Sequence, residues 1–145
     1  MDGDKSITTI FADATPPSGT VVIAGGAQYA NSAAVALTVS ATDFNGMAEM
    51  MFSNDQTAWS SPEPYGTTKA WTLSEGDGTK TVYAKFKDTI GNWSTPVSDT
   101  ILLDTLAPTA TLSGVPAAYT NVKEASLTVG GDGVIAYRYR LDGSD

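Results

Sequence analysis

Apolar and polar residues alternate with period two through much of the chain. In the stretch GDGTKTVYAKFKDTIGNWS, residues 76–94, Val82, Ala84 and Phe86 alternate with Tyr83, Lys85 and Lys87. That period marks a β-strand with one buried and one solvated face. A Gly-Asp-Gly turn precedes it and the polar run Asp88-Thr-Ile-Gly-Asn92 follows it. The same pattern predicts strands over 20–24, 34–41, 47–53, 69–74 and 97–103, with a short edge segment at 56–60 that carries Trp59. Val35, Leu37, Val39, Met50, Phe52, Trp71 and Leu73 are the expected core residues. Pro62 and Pro64 confine their stretch to an edge or loop. Helical periodicity is missing, and short strands separated by Gly, Asp and Pro turns predict an all-β, two-sheet sandwich.

The chain also resembles itself. Ile10-Phe-Ala-Asp13 matches Ile101-Leu-Leu-Asp104, an offset of 104 − 13 = 91. Tyr29-Ala-Asn31 matches Tyr119-Thr-Asn121, and Ala36-Leu-Thr-Val39 matches Ser126-Leu-Thr-Val129, both at an offset of 90 (119 − 29). Phe52-Ser-Asn-Asp55 matches Tyr139-Arg-Leu-Asp142 at 142 − 55 = 87. A unit of about ninety residues is the size of an immunoglobulin-like domain. The phase of the repeat sets three expected segments. Residues 1–13 are the last strand of a preceding repeat or an N-terminal extension. Residues 14–105 are one complete immunoglobulin-like antiparallel β-sandwich module, and residues 106–145 are the first three strands of a partial second module. Three strands without partners leave sheet edges and an apolar face with Val129, Tyr137 and Tyr139. Either self-association through that incomplete module or a poorly packed C-terminal segment is therefore expected.

LSEGDGTKTVYAKFKDTIGNWST, preceded by MFSNDQTAWSSPEPY and followed by SDTILLDTLAPTATLSG, resembles the bacterial Ig-like and fibronectin-type-III-like tandem repeats of large secreted or cell-surface proteins. Its markers are the Gly-Asp-Gly-Thr-Lys-Thr-Val-Tyr opening, the Asp-x-x-Gly-Asn exit and the Asp-Thr-x-Ala-Pro linker. The resemblance implies a non-catalytic structural spacer or adhesion module, extracellular or at the cell surface, with neighbouring Ig-like modules as partners. The alternative is a carbohydrate-binding or accessory module of a secreted enzyme. Fold transfers better than activity in such a group. Related sandwiches carry a tyrosine corner near the start of the strand. Tyr83 is either that corner or a surface aromatic beside Lys85.

Composition narrows the chemistry. The 145 residues contain no His and no Cys, which removes His-based triads, Cys nucleophiles, zinc fingers, haem attachment and disulfides. Nothing places two carboxylates around a cleft, so an enzyme is not expected. Sixteen acidic residues against eight basic ones give a net charge of −8 and a pI near 4.2, which disfavours nucleic acid. No apolar run reaches the roughly 18 residues of a membrane span, and residues 1–6 lack the basic start and apolar core of a signal peptide.

Acidic loops supply hard oxygen ligands of the kind Ca²⁺ takes, and no other cofactor is expected. In an immunoglobulin-like sandwich the loops after the second and sixth strands share a pole with the incoming linker. Asp13, Asp43, Asn45, Asp88 and Asn92 are therefore expected to meet there. The repeat places a second, partial calcium site at Asp104 and Asp132. The bland reading is that Asp and Asn serve their own turns. For a sugar, Trp59, Trp93 and Tyr65 are the stacking candidates, with Tyr29 and Trp71 as lesser ones.

Overall fold

In the computed structural model, which describes residues 13–115 and 126–138, the strand over Gly78–Asp88 buries every second residue from Lys80 to Asp88. The chain divides into two units, Met1–Thr105 and Leu106–Asp145. In the first, the strands are β1 (Ser18–Ile23), β2 (Tyr29–Ala30), β3 (Ala34–Thr42), β4 (Met47–Ser53), β5 (Glu63–Pro64), β6 (Thr68–Thr72), β7 (Gly78–Asp88) and β8 (Val97–Leu103). They form a three-stranded sheet, β1-β3-β6, and a five-stranded sheet, β2-β8-β7-β4-β5. Every pairing is antiparallel except β2 with β8. The chain crosses repeatedly between two sheets that share one core, which is the immunoglobulin-like sandwich arrangement.

The core follows from the alternation. Val21 and Ile23 of β1 and Leu37, Val39 and Ala41 of β3 belong to one buried cluster with Met50 and Phe52 of β4, Val82, Ala84 and Phe86 of β7, and Ile101 and Leu103 of β8. Close approach of backbone to that core explains Gly19 in β1. A Cβ there would lie 2.6 Å from the Phe86 ring and 2.7 Å from Ala41 Cβ. Such overpacking forces neighbours off their rotamers.

Two features depart from the strand expectations, at 56–60 and at β2, while the Pro62–Pro64 stretch takes its expected edge position. The 56–60 segment is not a strand. The Asp55 carboxylate accepts the amides of Thr57 at 2.7 Å and Ala58 at 2.8 Å, and Gln56 takes φ 62, so side-chain hydrogen bonding closes a turn instead. The edge strand falls at β5, where Pro64 lacks an N–H and sits at the outside of the sheet. Strand β2 was not expected. It is two residues long, too short to alternate, and forms after the 3-10 turn at Ala24–Gly26 carries the chain from one sheet to the other.

The second unit contains β9 (Thr111–Ser113) and β10 (Thr128–Gly130), paired antiparallel with Leu112 opposite Val129. The described residues that follow, 131–138, contain no third strand, and Tyr139 lies outside the described residues.

Candidate functional site

At one pole of the first unit, three carboxylates converge. Ligand oxygens of Asp13, Asp43 and Asp88 all lie within 4.8 Å of one another. Each comes from a different local structure.

Asp88 is the last residue of β7 and points inward with the core series, only 1% exposed. Its Oδ1 accepts the amides of Ile90 at 2.9 Å, Gly91 at 2.6 Å and Asn92 at 2.8 Å, and its Oδ2 accepts Asn92 Nδ2 at 2.7 Å. The loop folds back over the carboxylate because Gly91, at φ 112, takes a conformation that other residues rarely adopt. The backbone closes the turn with Asp88 N–H donating to Asn92 O at 3.1 Å. Burial pushes the Asp88 carboxyl up, but the hydrogen bonds from the Asn92 side chain and the loop amides outweigh it. The group is held below its ordinary value of 3.8.

Asp43 lies in the turn between β3 and β4, where its Oδ1 accepts Asn45 N–H at 2.9 Å and its carbonyl accepts Gly46 N–H at 3.1 Å. This turn is bonded to the Asp88 loop: Thr89 Oγ1 donates to Asn45 O at 2.8 Å, and Thr89 N–H to Gly46 O at 3.2 Å. Asp13 belongs to the segment entering β1. Both loops hold it, since Asn45 Nδ2 donates to its Oδ2 and Asn92 Nδ2 donates to its carbonyl at 3.1 Å. Thr15 N–H caps the other carboxylate oxygen at 2.9 Å. The two asparagines thus act as clasps on the incoming chain.

Among the described residues no ion pair compensates the charge of the pole. The pairs found among them are Lys69–Glu63 and Lys87–Glu49. Three carboxylates this close repel one another unless a proton or a cation intervenes. Ca²⁺ takes oxygen ligands at about 2.3–2.6 Å, so two ligands of one ion can stand about 5 Å apart. The spacing falls inside that limit. Asp88 Oδ1 is taken up by three amides, but Asp88 Oδ2, both carboxylate oxygens of Asp13 and Asp43 Oδ1 each accept one hydrogen bond and retain a lone pair.

The two residues of the second expected site fall in different units, Asp104 in the first and Asp132 in the second. Asp104 N–H donates to Ala30 O at 2.9 Å, and the Asp132 backbone bonds to Thr109. Among the described residues the only group of three close carboxylates is that of Asp13, Asp43 and Asp88.

Of the aromatic candidates, Tyr65 is turned away from the two tryptophans toward the core. Tyr65 packs edge-on against Phe86 with centroids 6.3 Å apart. Its hydroxyl accepts Ala41 N–H at 2.8 Å and donates to Ala41 O at 3.3 Å, tying the segment after β5 to a strand of the opposite sheet. Sequence periodicity carries no signal for this lock. Trp59 and Trp93 are half-buried under lysines of β7, with Lys85 Nζ 4.6 Å from one ring centroid and Lys87 Nζ 5.6 Å from the other. Trp71 packs on Phe52 at 5.7 Å and donates to Asn54 Oδ1 at 2.8 Å, while Tyr29 stands exposed on β2. Tyr83 is half-buried on the outward face of β7, the surface position beside Lys85.

Among solved structures, this chain is similar to the PKD1 domain of Vibrio anguillarum Epp, at 13% identity and a TM-score of 0.48, over 65% of this chain and 100% of that one. No protein-family model and no curated protein matches the chain. The fold assignment rests on strand order and register. No helix among the described residues is long and apolar enough to cross a membrane.

Proposed function

We propose that the chain is a non-catalytic structural module, a spacer or adhesion element of a repeat-containing bacterial surface or secreted protein, and that its linker-bearing pole takes Ca²⁺. The observation that supports the reading is the clasp on Asp13. A residue of the entering segment is hydrogen-bonded to two separate loops of the sandwich. That arrangement fixes the direction in which the chain enters the module, which is what a spacer needs in order to transmit force or hold a spacing. An ion shared by Asp13, Asp43 and Asp88 would bind the same three segments together and stiffen the junction. The sugar-binding alternative has less support, because Tyr65 is committed to the core and lysine ammonium groups stand over the rings of Trp59 and Trp93.

Thermal unfolding with chelator and with millimolar Ca²⁺ tests the metal reading. The unfolding temperature is expected to rise with Ca²⁺ by the amount mass action gives for a ligand of the native state. Asp43→Asn is expected to abolish the rise. Coincident melting curves under both conditions would remove calcium from the account while leaving the clasp in place.

A further inference from the structure

One of the two asparagines that grip the entering chain lies at the sequence step most open to deamidation. Asn45 precedes Gly46 in the chain's single Asn-Gly step, whereas Asn31, Asn54, Asn92 and Asn121 precede Ser, Asp, Trp and Val. Glycine sets no side chain beside its own nitrogen and lets the backbone turn freely, so that nitrogen can reach the side-chain carbonyl carbon of the asparagine before it. The reaction needs only water. Gly46 N gives up its proton to solvent and bonds to Asn45 Cγ; the Cγ–Nδ2 bond breaks, and the nitrogen leaves as ammonia with a proton taken from water. A second water then opens the five-membered imide at one carbonyl or the other, giving aspartate or isoaspartate.

In the folded module both reacting groups are held. Gly46 N–H donates to Asp43 O at 3.1 Å, and Asn45 Nδ2 donates to Asp13 Oδ2. The backbone between them is fixed as well. Asn45 N–H donates to Asp43 Oδ1 at 2.9 Å, and Thr89 donates through Oγ1 to Asn45 O at 2.8 Å and through its N–H to Gly46 O at 3.2 Å. Reaction therefore requires the turn to open locally. The product cannot remake what opened. Aspartate at 45 has no donor for Asp13 Oδ2 and sets a fourth carboxylate beside those of Asp13, Asp43 and Asp88. Isoaspartate also adds a carbon to the backbone between the bonds that Thr89 makes to this turn.

We propose that Asn45 is a deamidation site whose reaction the clasp on Asp13 holds back, and that deamidation there loosens the entering segment irreversibly. The extent of reaction then records how long the turn has stood open. The inference rests on the clasp of the module reading and does not depend on calcium.

Peptide mapping by mass spectrometry tests it, on chains incubated in mildly alkaline buffer with chelator, with the exposed Asn31 as internal reference. Asn45 is expected to react at least about tenfold more slowly in the native chain than in denaturant, the protection that a locally closed state gives. Asp13→Ala removes the acceptor of Asn45 Nδ2 and touches no residue of the buried core. It is expected to speed the reaction at Asn45 at least about threefold and to leave Asn31 within about twofold, as changes away from a site do. In Asn45→Asp, which is the aspartate product, the proton–nitrogen heteronuclear NOE of the Ala14 and Thr15 amides is expected to fall below the native values while β3 and β7 hold theirs, although Asn92 still bonds the Asp13 carbonyl. No product at Asn45 in denaturant, equal rates in the folded and denatured chain, a rate indifferent to Asp13→Ala, or native values at both amides in Asn45→Asp would each overturn the proposal. Failure of the clasp itself shows separately, as low values at those amides in the unreacted native chain.

Discussion

Asp88→Ala is expected to unfold at a much lower temperature than the native chain, with Asp88→Asn between the two. Alanine leaves the part-buried amide hydrogen bonds of Ile90, Gly91 and Asn92 without their shared acceptor, the buried Asp88 carboxylate. An unsatisfied buried donor costs more than the hydrogen bond it once made. Asparagine keeps an oxygen for the three amides but loses the charge that strengthens those bonds. Because the folded-state pKa of Asp88 is depressed, its contribution is fully present above the unfolded value and is lost as the pH falls through the folded one. Asp55, held low first by the amides of Ala58 and Thr57, acts in the same direction. Native stability is therefore expected to decline as the pH falls below the ordinary value of 3.8, and the decline is expected to be shallower in Asp88→Asn. Denaturant midpoints between pH 7 and pH 2 measure both effects. Equal acid sensitivity in the native chain and Asp88→Asn would show that the Asp88 charge carries no linkage.

Phe86→Ala is expected to lower the stability of the first unit by about 3–5 kcal/mol, the range for removing a buried aromatic ring. For a domain of this size that corresponds to a fall in unfolding temperature on the order of 20 °C. Phe86 is fully buried, and its ring supports Tyr65 at 6.3 Å. Its backbone N–H donates to Ser94 Oγ at 3.0 Å, and its carbonyl accepts Ser94 N–H at 2.8 Å. The substitution thus opens a cavity beneath the tyrosine that ties β5 to β3, and beside the strand that delivers Asp88 to the pole. A loss under about 1 kcal/mol would mean that the two sheets collapse onto the gap, contrary to the usual partial relaxation of close-packed cores. Chemical denaturation of the single variant decides between these outcomes.

Both positions lie on the strand where sequence and structure agree most closely. The alternation of Val82, Ala84 and Phe86 with Tyr83, Lys85 and Lys87 becomes an alternation of burial, because one face of β7 is covered and the other is not. Strand β3 behaves likewise. Alternation has no power over features made by tertiary partners. Strand β2 exists because the backbone of Tyr29 and Ala30 finds Leu102 and Leu103, far along the chain. The 56–60 turn is dictated by one carboxylate, Asp55, and β-propensity around Trp59 yields to it. Tyr65 resembles any edge aromatic in sequence, and only the position of Ala41 in the opposite sheet gives it a crossing role. At the pole, loop order in a sandwich is enough to expect Asp13, Asp43 and Asp88 together. The division of labour among them was not legible: Asp88 organises its own loop, and Asn45 and Asn92 grip the entering segment.

That grip is the physical content of a spacer role, and it has a direct readout. The proton–nitrogen heteronuclear NOE of the Ala14 and Thr15 amides reports whether the segment beside Asp13 moves with the sandwich on the picosecond to nanosecond timescale. The expected result is values matching those of β3 and β7 in the native chain, with a clear drop at both amides in Asn45→Ala with Asn92→Ala and no change within the strands. Low values at Ala14 and Thr15 in the native chain, or values unmoved by removing both asparagines, would contradict the clasp and with it the proposed spacer role.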